Sequence, residues 1–338
     1  MKSVAAILCA TLFAASAFGA DGEEPVLDVL NLRTGGSPVR YARAVKRVAD
    51  DARKGRLLQR YIAAILADDP SVPEDARISE AERIEWLEKT RERMVYLAEK
   101  KNNPLAWYLL YLETGDIEKL DRAVAGGNVQ AMNARGTALV SRVLAHPGDP
   151  EADRKDLETA FSLFSKASKS DDANAFNNLG LCYMNGYGCR KDEEKALEAF
   201  RTAAEQGHAE AVNNEGRFYR EGIVVEKDLE EALRCFRRSA SAGNEWGQLN
   251  YALAILRGEG TKPDGARAAE ILDCLARKGR LEAMDVLAGV YRDGAPGIEP
   301  DSAEAAVWMM RARAARGDAN AVKWLESSGK AIKTGAKR

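Results

Sequence analysis

Between Ala173 and Gly317 the chain repeats its small and apolar positions at a fixed interval. Asn178-Leu179-Gly180 returns as Asn214-Glu215-Gly216, then Asn250-Tyr251-Ala252, then Val286-Leu287-Ala288, each step being 36 residues. Tyr183, Tyr219, Ile255 and Tyr291 keep the interval, as do Gly186, Gly222, Gly258 and Gly294. Within one interval the apolar residues fall three and four apart, the spacing of a helix face. Ala175, Leu179 and Tyr183 mark a first helix, A; Ala196, Phe200 and Ala203 mark a second, B. Gly186 supplies the left-handed position that ends A, Asp192 caps B, and Gly207 stops it. Asp228, Asp264 and Asp301 return in the capping place, and Glu231 and Glu304 stand where a capping box needs them. From Ala305 the register slips, because Gly294-Ala295-Pro296-Gly297 is one residue longer than Gly186-Tyr187-Gly188.

Two short helices cannot bury their apolar stripes alone, so successive pairs must stack. Gly180, Gly216, Ala252 and Ala288 are the small residues that a close helix crossing requires. The fold class expected is therefore all-α. Gly186-Tyr187-Gly188 is helix punctuation and not a phosphate cradle, since no Gly-Lys-Ser/Thr follows and the slot recurs in every unit.

The run from Leu179 to Ala211, LG..Y..G.G..KD..KA...F..AA..G...A, resembles the Sel-one-like repeat, a relative of the tetratricopeptide repeat. The resemblance implies a right-handed α/α superhelix, a solenoid with an N-terminal helical cap. It is specific across 173–318, read as four repeats, and departs from the pattern at Gly247, Ile255 and the Pro296 insertion. Residues 103–172 are divergent units, one widened by the loop His146 to Pro150, and 319–328 is a closing half-repeat. Residues 40–102 are expected as the cap, with helices over Arg40–Leu66 and Ser79–Lys101; 21–39 form a leader and 329–338 a polar tail.

The first twenty residues, MKSVAAILCATLFAASAFGA, have the grammar of a secretory signal peptide, too short and Ala-rich for a comfortable membrane span. Its removal would take the formal charge from -2 to -3, since Lys2 is the one charge lost. The expected location is the periplasm or the cell exterior, with no membrane association after cleavage. Near-neutral charge without a long basic run argues against nucleic acid as partner.

Candidate chemistry is thin. His146 and His208 are the two histidines, outside any ligand spacing, and read as exposed turn residues. No metal, cofactor or catalytic residue is expected. Some cysteine-rich relatives have been described as penicillin-binding or β-lactamase-like, which implies an S-x-x-K nucleophile with a remote K-T-G. Ser327 to Lys330 and Lys333-Thr334-Gly335 match the letters but lie too close together to divide those roles. Cys182 and Cys189 read either as a disulfide pinning the turn or, preferably, as two small buried hydrophobes.

What remains is the face of A turned away from its own core. In related solenoids that face lines the concave groove. Arg217, Arg220 and Trp246, with Asn178, Asn214 and Asn250, are the candidate contacts for a peptide or protein partner. The asparagine column recurs and so suits a structural role; the other three do not. The function expected is a non-catalytic interaction scaffold or adaptor. The alternatives are a cell-wall or β-lactam-directed hydrolase or binding protein, and a structural, self-assembling envelope component.

Overall fold

The computed structural model describes residues 79–329 continuously, with Lys46, Glu74 and Arg77 as isolated positions before them. The expected signal peptide and leader, the first cap helix apart from Lys46, and residues 330–338 of the tail lie outside the described residues. Among the described residues there are fourteen α-helices and no strand. They divide into two compact units, before and after Asp171–Asp172.

The first unit contains α1 (Glu80–Lys101), α2 (Pro104–Thr114), α3 (Ile117–Ala125), α4 (Val129–Ala145) and α5 (Pro150–Ala167), each packed on the next. Ser79 and Glu82 form a complete capping box at the start of α1. That helix buries Trp86, Thr90, Met94 and Ala98, one residue in four, a single stripe. Met94 and Ala98 join Trp107, Leu110 and Leu120 in one core. The loop after α4 is tied down by Asp153, which is buried and accepts from Gly148 N at 2.7 Å and Arg142 Nη2 at 2.9 Å.

The second unit runs α6 (Ala173–Asn185), α7 (Glu193–Glu205), α8 (Ala209–Glu221), α9 (Leu229–Ser241), α10 (Glu245–Arg257), α11 (Gly265–Arg277), α12 (Leu281–Asp293), α13 (Ser302–Ala315) and α14 (Ala319–Ser327). Each helix packs on the next, and α8 also meets α10, so hairpins stack on hairpins. This is the all-α solenoid architecture, with α6, α8, α10 and α12 in the A role.

Both expected punctuation marks are present. Gly186, Gly222 and Gly258 close their A helices in the left-handed conformation. Asp192, Asp228, Asp264 and Asp301 cap the B helices through their carboxylates. At α9 Glu231 does not reach back to complete a box; its carboxylate holds Arg234 Nε at 2.8 Å. Two residues past the closing glycine, Gly188 (φ 69°) and Gly260 (φ 74°) take a second left-handed position, which Val224 (φ 52°) occupies in the hairpin between them.

A second column of caps, not anticipated from the repeat pattern, starts the A helices. Asp172, His208, Asn244 and Asp318 accept from backbone amides of the first turn. Arg280 stands in the same place before α12 and makes no capping bond. The Pro296 insertion closes as a tight turn, with Ala295 and Ile298 exchanging backbone hydrogen bonds of 3.0 and 2.8 Å.

The helices of a hairpin meet where a ring fills a missing side chain. A Cβ built on Gly180 would lie 2.6 Å from the Phe200 ring, and one on Gly216 2.8 Å from Phe236; Gly136 and Phe164 repeat the arrangement in the first unit. Along the B helices the partner position reads Phe164, Phe200, Phe236, Leu272, Trp308 at the 36-residue interval. Where it shrinks to Leu272, the facing position carries a methyl group, Ala252, in the same core. Gly247 replaces the usual alanine because Ser239 fills its space, with a built Cβ only 2.6 Å from Ser239 Cβ.

Gly180→Ala should therefore cost about 1–3 kcal/mol by overpacking. Adding Phe200→Leu, which copies Ala252 with Leu272, should recover part of it; strictly additive losses in a thermal double-mutant cycle would show that glycine and ring do not meet. Gly207 has no neighbour that a Cβ would strike, but its φ is 84°. Gly207→Val should thus lower the melting temperature through backbone strain alone, about 1–3 kcal/mol, and an unchanged value would contradict that helix end.

Candidate interaction surface

The A helices touch one another through asparagine. Asn214 Nδ2 donates to Asn177 Oδ1 at 3.3 Å, and Asn250 Nδ2 donates to Asn213 Oδ1 at 2.7 Å. Each bond joins one hairpin to the one before it, and Asn177, Asn213 and Asn214 are buried. Buried amides of this kind are stable only when partnered, so the pairs fix how neighbouring hairpins register.

This geometry divides the six expected contact residues. Asn214, only 5% exposed, faces the neighbouring helix and is not presented to a partner. Asn250 and Arg220 are also engaged: Arg220 Nη1 donates to Asn250 Oδ1 at 3.4 Å, Nη2 donates to Glu221 at 3.1 Å, and the guanidinium lies 5.5 Å from the Phe236 ring centroid. Asn178 is half-buried. Asn214 and Asn250 are turned to the hairpin before them and Arg220 to the one after, so these three positions fall between hairpins. Arg217 stays accessible, with one long ion pair to Glu221 at 4.0 Å.

Trp246 is the clear outward residue, 45% exposed on the first turn of α10. The Arg280 guanidinium lies 4.2 Å from its ring centroid. Arg280 Nε is also 3.1 Å from Glu245 Oε2, an ion pair without hydrogen-bond alignment. Arg280 was not among the expected residues. The signal was its place in the capping column, where a residue unable to accept a hydrogen bond stands among Asp, His and Asn.

The remaining candidates are quiet. Cys182 and Cys189 are free thiols, not a disulfide, and Cys189 Sγ donates to Cys182 O at 3.5 Å. Burial pushes the Cys182 and Cys235 thiols up to about 12 and raises Cys189 as well, which keeps them protonated and poor nucleophiles. Burial also raises the Glu215 carboxyl against the pull of Arg201 and Arg238. Arg201 lies 3.4 Å from Glu215 and donates to Tyr219 Oη at 2.9 Å, a closed structural network. Ser327 ends α14 with its hydroxyl donating to Trp324 O at 2.9 Å; Lys330 and Lys333-Thr334-Gly335 lie outside the described residues. Among the described residues no group of three His, Cys, Asp or Glu is placed to hold a metal, and no helix is long and apolar enough to cross a membrane.

His146 is exposed as expected, but His208 is not a free turn residue. Half-buried, it accepts from Ala211 N at 3.2 Å through Nδ1.

The Sel1 repeat family model matches residues 143–172, 173–208, 209–244, 247–279 and 281–316, together half of the chain. The chain belongs to the Sel1 repeat family. Sel1 repeats generally act as non-catalytic scaffolds that mediate protein–protein interactions. Among solved structures, a Sel1 repeat protein from Oxalobacter formigenes is 29% identical, with 73% of this chain and 90% of that one covered and a TM-score of 0.48. The protein c5321, a protective antigen present in uropathogenic Escherichia coli strains displaying an SLR fold, is 20% identical, with 94% and 84% covered and a TM-score of 0.32. No curated protein matches the chain.

The histidine cap of the 209–244 Sel1 repeat predicts a pH dependence. Burial holds the His208 pKa below its ordinary 6.5, outweighing Glu210 and Asp172, and only a neutral Nδ1 can accept the Ala211 amide. The folded pKa is the lower one, so the stabilisation is complete above about pH 6.5 and is lost as pH falls through the folded value. His208→Asn keeps an acceptor without a titration. From about pH 7.5 to 5 the wild-type melting temperature should drop relative to that variant; parallel curves would rule the cap out as the sensor.

Proposed function

We propose that this Sel1 repeat chain is a non-catalytic adaptor of the periplasm or cell exterior, binding a peptide or protein along the outward face of its A helices. The observation that carries this reading is Trp246 with Arg280 stacked on it. A large ring held in one orientation by a guanidinium offers a partner apolar area at little entropic cost, and tryptophan and arginine are enriched among residues that dominate binding energy. The arrangement also gives up a helix cap, worth about 1 kcal/mol where it forms, in favour of a surface contact. Arg217, one hairpin earlier, adds a charge able to take a carboxylate of the partner. The signal-peptide grammar of residues 1–20 supports the exported location.

Crosslinked co-purification from the native envelope, comparing wild type with Arg217→Glu/Trp246→Ala, tests the reading. Both positions are accessible, so the variant should keep its melting temperature. A specific partner should be lost, with affinity falling about 30-fold or more if Trp246 is the anchor. Equal capture by both proteins would move the site elsewhere.

A further inference from the structure

The B-helix side of the second unit carries a feature that the A-helix reading does not use. Val224, in the loop between α8 and α9, has a left-handed backbone (φ 52°) in the slot where the flanking hairpins have Gly188 and Gly260. For a β-branched residue that conformation costs about 1–3 kcal/mol. No burial compensates for it, because Val224 is 46% exposed.

Val224 and Val225 form the aliphatic wall of an open groove of about 420 Å³ along the outer face of α7, beside the buried Leu197. Glu194, Glu198 and Glu205 line the same groove. None of the three forms an ion pair among the described residues. Arg201, between them, is already committed to Glu215 and Tyr219. The groove is thus negative with one apolar wall, the complement of an aliphatic side chain flanked by cations.

The chain carries such a segment itself, in residues 330–338, KAIKTGAKR, where Ile332 lies between Lys330 and Lys333. Three residues of extended chain span about 10 Å, and so do the seven helical residues from Glu198 to Glu205. We infer that this groove docks residues 330–338 of a second copy of the chain, with Ile332 against Val224 and the lysines on the glutamates. A second copy is the source because of reach. Three hairpin steps separate the groove from Gly329, about 30 Å at the usual helix spacing. Ile332 lies three residues past Gly329, a reach of no more than about 11 Å, so the chain's own tail cannot bring it to Val224.

The test is fluorescence anisotropy of a labelled synthetic peptide of residues 330–338 against the full chain, beside sedimentation velocity of the full chain. The peptide should bind, and Glu198→Lys and Val224→Gly should each weaken it tenfold or more. Val224→Gly should at the same time raise the melting temperature, the signature of released strain rather than of damage. The full chain should self-associate with concentration, Lys333→Glu should weaken that tenfold or more, and combining it with Glu198→Lys should restore part of the loss. Trp246→Ala should leave peptide binding unchanged, so this inference and the A-helix reading fail separately. Absence of peptide binding, equal binding by Val224→Gly, or a full chain that stays monomeric throughout would each overturn the proposal.

Discussion

A phenylalanine ring seated over a glycine sets the distance between the two helices of a hairpin, and the rest of the second unit follows from that distance. With Phe200 against Gly180 and Phe236 against Gly216, the A and B helices approach more closely than two ordinary side chains allow. The closeness fixes the rotation of each A helix about its own axis. That rotation is what brings Asn214 to Asn177 and Asn250 to Asn213. Where ring and glycine give way to Leu272 and Ala252, the volume is redistributed and the hairpin persists. One hairpin further on, Trp308 and Ala288 share the same core, so the contact also accommodates a larger ring.

A scaffold assembled this way has little freedom in its interior and much at its edges. The interior thiols and the half-buried Glu215 carboxyl are held protonated or paired, so they contribute packing rather than chemistry. Departures from the repeat are found on the surface instead. Arg280 takes a capping place without capping, and Val224 takes a glycine place without being glycine. In each case a local rule of helix or turn formation is broken outside the helix-packing core: Arg280 is half-buried against Trp246, and Val224 is exposed.

The fold was legible in the sequence because its signals recur. A glycine at 186, 222 and 258 is read three times over and an aspartate at 192, 228, 264 and 301 four times, so the hairpin boundaries stand on agreement between copies. The surface was less legible, since exposure depends on the neighbouring hairpin as well as on the helix itself. Asn214 and Arg220 have the right helical phase for an open groove, yet the adjacent A helix covers the first and engages the second. His208 was misread for the opposite reason. Its column, with Asp172, Asn244 and Asp318, was present in the letters, but a histidine among acidic and amide caps does not look like a member until the backbone shows its Nδ1 accepting.

The asparagine bonds also have a direction. Each donor lies one residue after the acceptor position of its own helix, so the 209–244 hairpin carries both halves: Asn214 gives to the hairpin before, and Asn213 receives from the one after. The next hairpin has the donor, Asn250, but Leu249 in the acceptor place, and the series stops there. A tandem copy of 209–244 placed beside itself would find a matching amide on either side, whereas a copy of the following hairpin would not. The letters for such growth, asparagine in both places, stand in the 173–208 and 209–244 hairpins, and the hairpins after them pack on without the bond.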